Sequence, residues 1–376
     1  MAQHQRYCFI TEYFDAFASL VRQYQLFYYP EDGSIEMYDI KNRKIFLKRN
    51  VNPEVSLKDL YKGSDINIYS RKHKLIDYGD DYTRKYFEEI RSNTYGMIKP
   101  DGYLQMGKII DMVYNVGGFT ITKLKLCKMS KEIAAQFYGE HKGKPFYDFL
   151  LNYITEDYIV GMELVKKDAI AEWRKFIGPT NVEKAKQEAP NSVRAIFGSP
   201  TKNTVHGSDC AESVKREIDI VFNQIKHVPM CNNCACVVIK PHAIKEGNAG
   251  KIIDMILSAG FEISSMQMFY LDKINAEEFF EVYKGVLPEY AEMIEHVTTG
   301  PVIAIEVREE DVVTKIRALV GPHDPDLAKN LRPNTIRALF GRDRVHNAVH
   351  CTDLQDDGKL EVDYFFNQLA NNESLI

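Results

Sequence analysis

Two long stretches of this chain are versions of one another, and that internal repeat limits the available folds more than any other feature. TYGMIKPDG around Lys99 returns as CACVVIKPHA around Lys240, GKIIDMVYNVGGFTITKLKL returns as GKIIDMILSAGFEISSMQMF, and SVRAIFG returns as TIRALFG. Paired residues stay 141 to 144 positions apart, from Lys99 and Lys240 through Arg174 and Arg317, Arg194 and Arg337, and His206 and His350 to Glu217 and Glu361. An offset that constant means two homologous domains in tandem, placed at residues 92–225 and 234–371. Between them, Gln224 to Asn233 carries Pro229 and little periodicity, as a connector does.

Each repeat runs in the same order: a short apolar strand, an amphipathic helix from GKII, an alternating strand, helices, an apolar strand (Ile159 to Leu164; Val302 to Val307) and more helices. That pattern is α+β. Residues 1–91 match neither repeat. There Leu26 to Tyr29, SIEMYDI, IFLKR, INIYS and KLIDYG read as strands separated by turn residues, a β-rich module with no catalytic spacing, and so a docking domain.

With 376 residues the chain is long enough for several cores, and a formal charge of -5 gives no electrostatic case for a dedicated nucleic-acid binder. No apolar run reaches the roughly 18 residues of a membrane span, and the start MAQHQRYCFITEY lacks the plan of a signal peptide, so a cytosolic protein is expected. Seven cysteines fit free thiols; Cys231, Cys234 and Cys236 have a CxxCxC spacing but no second ligand pair, which favours a linker running into a buried strand over zinc.

The densest chemical signal is Asn203-Thr-Val-His206-Gly207-Ser208-Asp209, followed by Glu212 and Glu217. Asp209 and Glu212 have capping-box spacing, which places His206 just before a helix whose N-terminal amides favour anions. Glu217 falls two turns into that helix, where it can reach back to orient the imidazole, and Ser208 can do the same through its hydroxyl. A neutral imidazole is a competent nucleophile, and phosphoryl transfer asks mostly for positioning and positive charge, which Lys99, Arg174 and Arg194 supply.

KPDG, FYGEHKGKPFY, WRKFIGPTN, SVRAIFG and NTVHGSD, in that order, resemble the nucleoside diphosphate kinase family over both repeats. The module in front, with YPEDGSIEMYDIKNRKIFLKR, resembles the DM-ten domain, which is PH-like. The resemblance implies a ferredoxin-like βαββαβ sandwich in each repeat. It implies a ping-pong reaction in which His206 takes the γ-phosphoryl of a nucleoside triphosphate such as ATP and hands it to a diphosphate, with Mg2+ on the phosphates. It assigns Lys99, Tyr138, Arg174, Thr180, Arg194 and Asn203 to phosphates and ribose, and Phe146 and Leu150 to the base. Family members with such a front module are associated with ciliary axonemes, as microtubule inner proteins, and with γ-tubulin complexes, which implies tubulin or axonemal partners and a cytoskeletal location. A mainly structural role with vestigial nucleotide binding is the alternative.

The second repeat keeps His350, Asn347, Glu361, Lys240, Arg317 and Arg337 but reads Lys240-Pro241-His242-Ala243 for KPDG and His350-Cys351-Thr352-Asp353 for HGSD, with His323 for Thr180 and Phe280 for Tyr138. A side chain at Cys351 and the altered reach of Thr352 are expected to leave this site slow or structural. Against the pattern of the family it resembles, the first repeat is short from Gly102 to Gly107 and long from Thr180 to Arg194, in loops that help shape the trimer contacts of the hexameric members, so the resemblance implies a pseudo-dimer within one chain over a hexamer.

Overall fold

The computed structural model describes residues 6–15, 18–53, 55–90, 92–226 and 228–370. Expectations that touch residues 1–5, Arg91 and Asn371 lie outside the described residues. The chain divides into two compact units, Met1–Arg91 with Tyr270–Val302, and Ser92–Phe269 with Ile303–Ile376. The second repeat is therefore shared between the units, an arrangement absent from the sequence-based boundaries.

In the first unit six antiparallel strands, β1 (Tyr7–Asp15), β2 (Leu20–Tyr29), β3 (Ser34–Asp39), β4 (Lys44–Val51), β5 (Asp65–Ile68) and β6 (Arg71–Tyr78), lie in the order β4-β3-β2-β1-β6-β5. The central strand β1 is the element that the sequence reading did not anticipate. Its first three residues are all buried, so it does not alternate. Tyr7 and Phe9 pack on Phe87 of the helix Asp81–Ile90. Cys8 is covered by Gly79, where an added Cβ would lie 2.2 Å from its sulfur. The helices Lys273–Phe279 and Tyr290–Val297 belong to this unit. They are tied to the sheet by Asn67 Nδ2 donating to the Leu271 carbonyl at 3.0 Å and by Thr298 Oγ1 donating to Ser70 Oγ at 3.0 Å.

An eight-stranded sheet, in the second unit but for Tyr270, Pro301 and Val302, is formed by β7 (Ser92–Ile98), β8 (Thr120–Cys127), β9 (Ile159–Lys166), β10 (Val205–Gly207), β11 (Cys234–Ile239), β12 (Glu262–Tyr270), β13 (Pro301–Arg308) and β14 (Val349–Cys351) in the order β10-β7-β9-β8-β12-β13-β11-β14. Within each repeat the strand order is fourth, first, third, second, the ferredoxin-like arrangement. The second strands of the two repeats pair antiparallel, Met266 opposite Leu126 and Gln267 opposite Lys125, so each repeat covers the other's open edge. Cys234 and Cys236 lie within buried β11.

Behind that seam the matched helices Met106–Asn115 and Ala249–Ser258 cross at a pair of glycines. An added Cβ on Gly107 would sit 2.4 Å from the Asp254 amide nitrogen, and one on Gly250 2.2 Å from that of Asp111. Tyr103 fixes the register, its hydroxyl donating to the Ile263 carbonyl and accepting from the Ile263 amide, both at 2.8 Å. One hydrophobic cluster runs through both repeats, from Ile109 and Leu164 to Ile253 and Ile305.

In an open helix Gly→Ala gains up to about 1 kcal/mol from propensity. Gly107→Ala is expected instead to lose about 1–3 kcal/mol, because backbone has to move aside. Thermal unfolding would show this as a lower Tm, with Gly139→Ala, where an added Cβ meets nothing within 4 Å, as the control.

Candidate active site

His206 sits in the middle of β10, which pairs with β7 so that His206 faces Met97 and Gly207 faces Gly96. The strand is entered through a tight turn in which Val205 N–H donates to the Asn203 carbonyl at 2.6 Å across Thr204, held at φ +63°. A β-branched residue there is strained. The Thr204 hydroxyl, 2.8 Å from Asp101 Oδ2, and its carbonyl, which accepts from the Lys99 amide at 2.7 Å, hold the turn. The turn thus brings Asn203, Lys99 and His206 to one end of neighbouring strands.

Glu217, on the helix Ala211–Ile218, is the shared acceptor behind the histidine. Its Oε2 lies 2.9 Å from His206 Nε2 and accepts from the Ser208 hydroxyl at 2.6 Å. Ser208 therefore orients the carboxylate and does not itself reach the imidazole, which corrects the role expected for it. The helix also starts one residue later than the capping-box reading, with Cys210 and not Asp209 at the N-cap. With Nε2–H donated to the carboxylate, Nδ1 keeps its lone pair, the form a nucleophile needs. The rings of Phe137 and Tyr138 stand edge-on to the imidazole at 5.3 and 5.9 Å. The buried Tyr138 hydroxyl has no hydrogen-bond partner among the described residues.

Lys99 is buried, and its ammonium donates to Asn203 Oδ1 at 2.7 Å, while Asn203 Nδ2 donates to the Thr180 carbonyl at 3.2 Å. Burial, reinforced by the nearby Arg194 charge and opposed by Asp101, pulls the Lys99 pKa down to about 8. Arg194, on the helix Val193–Phe197, donates to the carbonyls of Gly178 at 2.7 Å and Val205 at 3.0 Å. Much of its fork thus braces the loops around the site. Burial, with Arg174 second, lowers its pKa to about 10. Arg174, on the helix Ala169–Ile177, and Thr180 are exposed beside it. Phe146 is exposed at the start of the helix Tyr147–Ile154, and Leu150 packs from that helix against the cluster containing Tyr138. His141 lies between them, 6.0 Å from the Tyr138 ring and 5.7 Å from Phe146.

Sequence reasoning missed Asp101, Tyr153, His141 and Trp173. Asp101 accepts from both Tyr153 and Thr204 and so locks the strained turn. The KPDG motif carried that signal for Asp101, whereas Tyr153 and Trp173 become site residues only through tertiary contact.

In the second repeat His350 Nε2 lies 3.0 Å from Glu361, and Thr352 Oγ1 donates to the same carboxylate at 2.5 Å. The Thr352 hydroxyl thus bonds its carboxylate as the Ser208 hydroxyl bonds Glu217, with the threonine side chain buried. Arg317 is instead engaged by Asp353, Lys240 Nζ donates to the Val345 carbonyl at 2.9 Å, and Arg337 braces Gly321 and Val349 as Arg194 braces its own loops. Asn347 turns to the carbonyl of His323 at 3.1 Å. The His350 side chain is 6% exposed against 20% for His206, so the second nucleophile is more enclosed.

A family model described as nucleoside diphosphate kinase matches residues 92–227 and 233–370, and one described as the nucleoside diphosphate kinase 7 N-terminal PH domain matches residues 1–89. The chain is 47% identical to nucleoside diphosphate kinase homolog 7 of Rattus norvegicus, covering 98% of this chain and 95% of the relative. Against the protein of the same name from Mus musculus, identity is 45% over the same shares. A nucleoside diphosphate kinase of Aquifex aeolicus is 35% identical over 35% of this chain and 93% of its own length.

Because Lys99 loses its charge as pH rises through about 8, affinity for a polyphosphate anion is expected to be highest below that pH and to fall above it. Calorimetric titration of pyrophosphate between pH 7 and pH 9 would show the drop, and Lys99→Met would abolish it while weakening binding at pH 7.

Proposed function

The chain belongs to the nucleoside diphosphate kinase family, and on that premise we propose that its first repeat transfers the γ-phosphoryl group of a nucleoside triphosphate to a nucleoside diphosphate through a phosphohistidine at His206. The observation that carries this reading is the Glu217 carboxylate shared by His206 Nε2 and Ser208, which leaves Nδ1 as the free nitrogen. Its lone pair forms the N–P bond as the bond from the γ-phosphorus to the bridging oxygen breaks, and the diphosphate leaves with that electron pair. The Nε2 proton stays on the imidazole, and Glu217 stabilises the positive charge the ring gains. A second diphosphate reverses the step and restores the neutral histidine.

Lys99, Arg174 and the remaining donors of Arg194 face the phosphate oxygens, the Tyr138 hydroxyl supplies one further donor, and Thr180 and Asn203 hold the sugar end. Phe146 and Leu150 offer one apolar face to the base, which suits broad base tolerance. The substrate is taken as the Mg2+ complex. On this reading the cation arrives on the phosphates. Bound there, it would neutralise charge on the transferring group.

A docking role for the N-terminal module is favoured by a separate observation. Phe14 and Val21, opposite one another in the β1–β2 hairpin, and Ile45 and Val51 on edge strand β4 are exposed apolar residues. We propose that this face holds the enzyme on a cytoskeletal partner such as axonemal tubulin or a γ-tubulin complex, where it delivers triphosphates locally.

Incubation with labelled ATP is expected to give acid-labile label on the wild type and on His350→Ala and none on His206→Ala. An unlabelled wild type would leave only a nucleotide-binding scaffold. For the docking face, Phe14→Ser with Val21→Ser is expected to reduce co-sedimentation with salt-washed axonemal microtubules and leave labelling at His206 intact.

A further inference from the structure

Trp173 is the single tryptophan of the chain. It is fully buried, and its indole Nε1–H donates to the backbone carbonyl of His206 at 3.1 Å. The contact exists because two neighbours lack side chains. An added Cβ on Gly207 would lie 2.5 Å from the Trp173 ring, and one on Gly96 2.8 Å from it. These glycines face each other across the β7–β10 ladder, so the indole fills a slot in the sheet one residue from the proposed nucleophile.

β10 has need of such a clamp. It is three residues long, stands at the sheet edge, and follows the strained Thr204. Rotation of the peptide after His206 would break the indole bond, and the orientation of that peptide sets where Nδ1 points once Glu217 holds Nε2. The second repeat fills the same slot without a donor. Val237 faces Cys351 in the β11–β14 pairing, and Ile316, which precedes Arg317 as Trp173 precedes Arg174, is fully buried. Apolar volume replaces apolar volume, and the hydrogen bond to the histidine carbonyl goes.

We propose that Trp173 is a positioning residue for phosphoryl transfer at His206, its indole N–H fixing the backbone that aims the imidazole. The proposal rests on the phosphotransfer reading of the first repeat. It requires that loss of the N–H slow transfer to the histidine without weakening nucleotide binding.

Because the chain has one tryptophan, growth on 3-benzothienylalanine replaces that residue alone in the full-length protein, with sulfur in place of the N–H and nearly the same ring. Single-turnover labelling of His206 from ATP is expected to slow by about tenfold to a hundredfold, the scale of a small misplacement of reacting groups. KM for ATP and Tm should stay at their wild-type values, and Trp173→Phe, a second deletion of the donor, should show the same fall in rate. Unchanged labelling rates in both variants overturn the proposal. So does a fall in rate matched by a rise in KM or a loss of Tm, which would make the indole a packing group only. A wild type that takes no label at all removes the phosphotransfer reading and this inference with it, whereas a labelled wild type beside an unaffected isostere removes the positioning role alone.

Discussion

The close crossing of the helices Met106–Asn115 and Ala249–Ser258 at Gly107 and Gly250 is the contact on which the rest of the double repeat depends. Two backbones approach that closely only where neither carries a side chain, and their approach lets β8 and β12 meet edge to edge. The outcome is one eight-stranded sheet and one continuous hydrophobic cluster where two separate repeats would each have left an edge strand and an apolar helix face exposed. Tyr103, with both bonds to Ile263, makes the junction specific as well as close.

On that platform the site is built by offsetting costs. Thr204 is strained, and Asp101, Tyr153 and the ladder to Lys99 hold it so. Lys99 and Arg194 are both desolvated, which lowers both pKa values, and an anion that met them there would gain more than at an open surface. Arg194 anchors the loops that carry Gly178 and Val205, so the cation is fixed before any ligand arrives. Preorganised charge of this kind is what phosphoryl transfer chiefly requires of a protein.

The two repeats diverge by compensated exchange more than by decay. Around His350 the carboxylate and hydroxyl survive as Glu361 and Thr352, and buried Cys351 and Ile316 occupy the sequence positions of Gly207 and Trp173. What differs in the second repeat is the pairing of its charge: Arg317, exposed like Arg174, is held in an ion pair by Asp353. Its fold is intact while its site is more enclosed.

The repeat offset, the order of the first three strands and their helices in each copy, and the candidates His206, Glu217 and Lys99 were legible in the sequence, because periodicity, motif spacing and pairing between copies are local or nearly local properties; the short strands β10 and β14 that carry the histidines were not. The late start of the helix after Cys210 and the buried strand β1 were not, since a cap depends on the hydrogen bonds finally made, and consecutive burial at Tyr7, Cys8 and Phe9 depends on what covers each face. Tertiary structure alone decided that Ser208 serves Glu217, that Arg194 and Arg337 brace carbonyls, that Trp173 reaches His206, and that Tyr270–Val302 falls in one compact unit with the N-terminal residues. In each case the partner lies far along the chain or on a backbone atom, and a sequence specifies which groups are present but not which of them the fold will set within hydrogen-bonding distance.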